Sequence, residues 1–178
     1  MSFAGKRALV CMKHVGMNVA ADAFVNSAMT GANGGLVVVA ADDPSMHSSQ
    51  NEQDSRFYGK FALVPTFEPA DQQEAYDMAK AAFDLSERFR IPVLMRLTTR
   101  MAHSRAVVET GEARAENPLS HPEQPRQWVL MPGNSRVRYQ TLLEDYARLE
   151  EESAASPFNA YTEGPDKRLG IVACGIAH

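Results

Sequence analysis

The chain has 178 residues, 44% of them hydrophobic, which suffices for one domain with a sizeable core. Lys and Arg number 18 against 22 Asp and Glu, a net charge of −4, so no basic field exists to hold nucleic acid or an anionic membrane. No apolar run approaches the ~20 residues of a membrane span, the start lacks a secretory signal's apolar core, and the two cysteines exclude a four-cysteine iron–sulfur site within the chain; a reducing cytoplasm is the expected compartment.

Arg7-Ala8-Leu9-Val10-Cys11-Met12 reads as a first strand running into Lys13-His14-Val15-Gly16-Met17-Asn18. Cys11 and Cys174 each stand in an apolar run and are expected to be buried free thiols. Residues 17–29 carry Val19, Ala20, Phe24, Ala28 and Met29 in an Ala-rich stretch, predicting a helix that Thr30 to Gly35 ends. Gly35-Leu36-Val37-Val38-Val39-Ala40 is apolar without alternation, which points to a strand covered on both faces and hence to a parallel sheet. It delivers the polar run Asp42-Asp43-Pro44-Ser45-Met46-His47-Ser48-Ser49-Gln50-Asn51-Glu52-Gln53 at its carboxyl end, where open parallel sheets place ligands.

Within that run, Ser49 with Glu52 forms a capping-box pattern and predicts a short helix toward Phe57, followed by a short strand over Phe61 to Pro65. Asp71 with Glu74 caps a helix whose Ala75, Met78, Ala79, Ala82, Leu85 and Phe89 recur at helical spacing. Pro92 breaks it, and Val93 to Thr99 returns as a strand. Strand and helix alternation gives the expected fold class: α/β, a mostly parallel sheet with helices on both faces.

Composition shifts at Thr110. Prolines 118, 122, 125 and 132 mark an extended surface linker in which Trp128 to Met131 either anchors on a neighbouring surface or pairs as an edge strand. Asn134 to Ala154 predicts a charged helix with Val137, Leu142, Tyr146 and Leu149 as contacts, and Leu169 to Ala173 a last strand. The expected organisation is a partial domain over 1–109, a linker with a charged helix over 110–168, and over 169–178 the first strand of a following domain.

Two strand ends thus present two histidines, His14 and His47. His14 precedes Gly16, which allows close approach of backbone or ligand, but a turn cap would look the same. Asn18 could donate to a ligand oxygen or cap a helix. On composition alone the Ser- and Asn-rich loop around His47 reads as a surface turn. Asp42 and Asp43 are too weak a pair to argue a metal or a phosphoryl acceptor. A hydrolase built from Ser48, His47 and Asp42 lacks the Gly-x-Ser-x-Gly elbow. No dinucleotide fingerprint or phosphate loop occurs. Arg96, Arg100, His103 and Arg105 follow the Val93 strand and could attract a carboxylate or tie the domain to a larger assembly; Arg100 is the one to test.

Five segments in order resemble the alpha subunit of indolepyruvate:ferredoxin oxidoreductase, a thiamine diphosphate enzyme of the 2-oxoacid:ferredoxin oxidoreductase superfamily. They are Gly5 to Val10, Met12 to Asp22, Asp42 to Asp54, Gln73 to Ala79 and Thr98 to Arg105, with a weaker likeness at Leu169 to Ala177. The resemblance implies a truncated pyrimidine-side domain of the thiamine diphosphate-binding fold. It places His14, His47 and Gln50 at the catalytic centre and Gly16, Asn18, Asp42 and Ser48 near the cofactor, with no metal ligand in this chain. Family members are several times longer: the glutamate that activates the cofactor lies upstream of the match, and magnesium, diphosphate and iron–sulfur sites lie in later domains. The implied reaction is oxidative decarboxylation of an arylpyruvate to an aryl-acetyl coenzyme A. Implied partners are the rest of the alpha subunit, a beta subunit, ferredoxin, the 2-oxoacid and coenzyme A, in an oligomer. A non-catalytic fragment that docks on a partner subunit is the alternative.

Overall fold

The structure is a computed structural model that describes residues 1–178. Four strands, β1 (Ala8–Lys13), β2 (Leu36–Asp42), β3 (Thr66–Phe67) and β4 (Val93–Thr98), form one all-parallel sheet in the order β1-β2-β4-β3. The helices are α1 (His14–Val19), α2 (Ala21–Thr30), α3 (Arg56–Ala62), α4 (Gln72–Phe89), α5 (Thr99–His103) and α6 (Pro132–Ala154). None is long and apolar enough to cross a membrane.

Strand order and chirality decide which helix covers which face. From β1 to β2 to β3 the chain steps in one direction, and from β3 to β4 it steps back; right-handed crossovers therefore send α4 to the opposite face from α1 to α3. The buried residues divide accordingly. Met17, Phe24, Ala28 and Ala62 pack with Val38, Ala40 and Leu94 on one face, joined by Leu142 and Leu149 of α6. Met78 and Ala82 of α4 pack with Val37, Val39, Val93 and Met95 on the other. The unalternating apolar run of β2 is thus buried on both sides, each valine contributing roughly 1.5–3 kcal/mol.

β1 is different. Its outer edge pairs with nothing, and Leu9 and Val10 are 52% and 42% exposed. Cys11 is exposed with them, and Cys174 is exposed in the carboxyl-terminal segment, so the expectation of two buried thiols is wrong. An apolar neighbourhood in sequence buries a cysteine only where a second layer covers it.

Helix α4 meets its expected bounds: the Asp71 carboxylate accepts from Glu74 N at 2.8 Å, and Arg90 closes the helix in the left-handed region. Three other expectations need correction. The first long helix begins at His14 and breaks at Ala20 into α1 and α2. Ser49 and Glu52 cap no helix, because the Ser49 hydroxyl donates to Asp43 at 2.7 Å and the Glu52 carboxylate accepts from Ser45 N at 3.0 Å. Phe61 to Pro65 is not a strand: α3 runs to Ala62, Leu63 turns left-handed, and β3 follows at Thr66. Gly59 makes that possible, since a Cβ there would lie 1.9 Å from Thr66 Oγ1.

After α5 no regular element forms until Pro125. The segment 104–120 is an extended strap laid along the outside of α4, held by polar side chains at four points of the helix. Gln73 Oε1 accepts from Glu109 N at 2.8 Å, Tyr76 Oη from Gly111 N at 2.9 Å, and Asp84 Oδ2 from Arg114 Nη2 at 2.8 Å. Glu87 Oε1 accepts from Asn117 Nδ2 at 2.6 Å, and Ser120 N then reaches Ala4 O at 3.0 Å. Trp128 anchors edge-on against Phe3, ring centroids 5.0 Å apart, and forms no strand. In α6, Leu142 and Leu149 are buried and Tyr146 half-buried as expected, but Val137 is exposed.

Leu169 to Ala173 forms no strand either: Leu169, Ile171 and Val172 stand exposed with no partner strand to complete their backbone bonds. Only Gly175 of the last ten residues is buried, packed on Glu68.

Candidate functional site

The segments that follow β1, β2 and β4 meet at the carboxyl end of the sheet. Register puts Lys13 beside Ala41, and Asp42 beside Thr98, so His14 comes one step beyond, level with Asp42 and Thr98. His14 is fully buried, and neither ring nitrogen has a hydrogen-bond partner; the Thr98 hydroxyl, also buried, has none. An unmet buried polar group costs about 1–3 kcal/mol. Two of them at one strand-end layer mark a place where the fold leaves polar atoms free.

Between them Asp42 is saturated. Its carboxylate accepts from Ser55 N at 2.9 Å, from the Ser55 hydroxyl, and from Arg96 Nε at 2.6 Å. Arg96 also binds Glu68, which faces Arg56, itself paired with Asp54. Burial works against the Arg96 charge, but the Asp42 hydrogen bond and the Glu68 charge outweigh it and hold the guanidinium above its usual value. The Arg56 hydrogen bond likewise holds Asp54 below the usual carboxylate range. This network locks the ends of β2, β3 and β4 to the start of α3.

Asp43 organises the loop. Its carboxylate accepts from the Ser49 hydroxyl at 2.7 Å, the Thr99 hydroxyl at 2.7 Å, Ser48 N at 2.8 Å and His47 N at 3.2 Å. Those donors, Ser49 first, hold it well below the usual carboxylate range. Ser45 and Met46 take left-handed φ values of 66° and 53° to make the turn. From the other side, Lys13 Nζ donates to Ser48 O at 3.2 Å.

The residues singled out in the sequence therefore fall in different surroundings. His14 is deep; His47, Ser48 and Gln50 are exposed on the loop. Asn18 is exposed and donates to Gln53 Oε1 at 3.1 Å, tying α1 to the same loop, while Gly16 packs against Met12. Asp42 is turned inward and orients no histidine, which removes the Ser48, His47 and Asp42 hydrolase arrangement. Arg100 is exposed on α5. Sequence reading set Asp43 aside and passed over Ser55, Thr98 and Thr99. Asp43 was hidden by its resemblance to an ordinary turn acid, and the two threonines by their place at the end of an apolar strand.

No three or more His, Cys, Asp and Glu side chains come together as a potential metal site. The free polar atoms are instead an imidazole and a hydroxyl, a donor set that fits contact with a neutral heterocycle or a carbonyl oxygen. The buried carboxylates, being saturated, offer nothing to a metal–diphosphate group.

An all-parallel α/β layer puts its structured polar loop where open parallel sheets hold their ligands. The chain belongs to the thiamine diphosphate-binding family of pyruvate flavodoxin/ferredoxin oxidoreductases, whose model matches residues 2–159. It is 48% identical over 180 residues to the indolepyruvate oxidoreductase subunit IorA of Archaeoglobus fulgidus, covering 99% of this chain and 29% of that subunit. The corresponding subunits of Methanothermobacter marburgensis and Pyrococcus abyssi are 47% and 46% identical over 97% and 99% of the chain. The chain spans 28–29% of the length of these curated relatives.

Proposed function

We propose that this chain forms one wall of the active site of a thiamine diphosphate-dependent indolepyruvate oxidoreductase, which oxidatively decarboxylates arylpyruvates to aryl-acetyl coenzyme A and passes electrons to ferredoxin. The observation that carries the reading is the meeting of three strand ends on the unpartnered His14 and Thr98, beside a clamped loop that turns His47, Ser48 and Gln50 outward. The chemistry the cofactor supplies when bound is nucleophilic addition to the 2-oxoacid carbonyl and storage of the electron pair released with carbon dioxide.

This chain's own residues orient and polarise. His14 stands behind the cofactor's ring side with a buried imidazole that needs a partner, and Gly16 and Asn18 border the ring. His47 and Gln50 face the incoming acid and hold or move a proton at its carbonyl oxygen, with Ser48 beside them. Asp42, first read as a cofactor contact, acts at one remove by fixing Ser55 and Arg96. Residues 1–109 make the pyrimidine-side domain, 110–168 a linker with a charged helix, and 169–178 the start of a following domain. Magnesium, the diphosphate and the iron–sulfur clusters are held by other parts of a cytoplasmic oligomer that includes a beta subunit. Alone, the chain turns over no 2-oxoacid.

The test uses the complete enzyme. His47→Ala and the size-conserving His14→Gln each lower indolepyruvate-dependent ferredoxin reduction by about 10²-fold, the scale of a positioned acid or base, with melting curves near the parent's. Near-normal turnover in both variants sinks the reading. The open edge of β1 favours a second role, docking without catalysis onto a partner subunit. That role predicts both histidine variants to be fully active.

A further inference from the structure

Resting on the reading of the 42–53 loop as a wall of the ligand site, we propose that Asp43 and Thr99 are positioning residues for that wall. Together they set the Ser48 peptide and thereby fix where the His47 and Ser48 side chains stand.

The geometry carries this. Asp43 is buried beneath an exposed loop, and all four of its donors come from that loop or from Thr99, the first residue of α5. The Ser48 peptide is gripped from both sides, its N–H by Asp43 and its C=O by Lys13. The end of β1 at Lys13, the loop after β2 and the start of α5 after β4 are thereby linked through Ser48 and Asp43. The left-handed Ser45 and Met46 are conformations that L residues adopt only when the surroundings over-determine them, and the Asp43 bonds supply that constraint.

The same bonds define what the loop can recognise. The His47 and Ser48 N–H groups point inward to Asp43, so they are spent and cannot form a backbone anion cradle. The loop therefore reads its ligand through side chains, His47, Ser48 and Gln50 among them, and not through its backbone. That set suits the carbonyl oxygen and ring of an arylpyruvate better than a phosphate. The low proton affinity of Asp43 keeps this arrangement intact through the neutral range.

Thr99→Val removes one donor while keeping the side chain's shape, and Thr99→Ser restores the hydroxyl. In the 178-residue chain, Thr99→Val is expected to speed amide exchange at His47 and Ser48 by about tenfold, the loss of one hydrogen bond to a charged group, with α4 unaffected. In the complete enzyme it is expected to lower kcat/KM for indolepyruvate by a similar factor, mainly through KM, and Thr99→Ser to recover both readouts. If Thr99→Val unfolds the chain, Asp43→Asn carries the same pair of measurements, since it keeps shape and one good acceptor. Unchanged loop exchange overturns the proposal. So does faster exchange with unchanged kcat/KM when His47→Ala is damaging, and that result leaves the site reading standing. If His14→Gln, His47→Ala and Thr99→Val are all without kinetic effect, the site reading fails and takes this inference with it.

Discussion

Replacing Arg96 by methionine tests whether the strand ends are held by a buried ion pair. The Arg96 side chain is 8% exposed and its partner Asp42 1%, so neither charge has water to fall back on. Methionine fills much of the volume but leaves the Asp42 carboxylate with only Ser55 as donor, and Glu68 facing Arg56 alone. Removing one partner of such a pair costs about 3–5 kcal/mol. For a domain of this size each kcal/mol moves Tm by roughly 2–4 °C, so a fall of about 6–20 °C is expected. The double variant Arg96→Met, Asp42→Asn removes both charges and should recover much of the loss, because the stranded carboxylate causes most of it. Thermal and urea unfolding followed by circular dichroism at neutral pH give both numbers. A single variant within about 1 kcal/mol of the parent, the scale of an exposed pair, would refute the reasoning, as would a double variant less stable than the single.

Stability should fall in acid. Asp43 and Asp54 sit below the usual carboxylate range when folded, so the unfolded chain binds more protons; their contribution is full above the unfolded value near ~3.9 and is lost as pH drops through it toward the folded values. Urea midpoints between about pH 6 and pH 3 measure this, and an Asp43→Asn chain with an equally steep profile would count against it. Ser86→Ala strips the buried hydroxyl that accepts from Leu36 N at 2.8 Å and donates to Ile91 O at 2.6 Å, and should cost about 1–3 kcal/mol by urea titration. The isolated chain should self-associate through the open β1 edge, and Leu9→Lys should suppress this in sedimentation across concentration; a monomeric parent chain would remove the argument.

Much of the fold was legible because period and punctuation agree with it. The unalternating valines of β2, the Asp71 and Glu74 cap, and Pro92 before β4 each act locally, and each element formed where those signals lie. Reading failed where a side chain found a distant partner in place of the near one. Ser49 and Glu52 spell a helix start but serve Asp43 and Ser45, while α3 begins beneath Asp42 instead. Apolar character misled at Cys11 and Leu169, since burial depends on what lies opposite. At the candidate site the two histidines and the loop could be picked from sequence. That one histidine is sealed in and the other exposed could not, nor could the part played by Asp43, because both follow from contacts across the ends of three strands.

The strap along α4 fastens like a row of hooks, at Gln73, Tyr76, Asp84 and Glu87, and this governs how it comes undone. Each hook is a modest bond, about 0.5–1.5 kcal/mol net, but once its neighbours are closed it re-forms at high effective concentration. No single substitution should free the strap, and release must start from an end. One end lies at Ser104, bonded to Gln72 just past α5 and next to the candidate site; the other is pinned beneath Ala4 and Asn33. Opening from the Ser104 end is therefore expected to be graded, one bond at a time, while the sheet stays fixed.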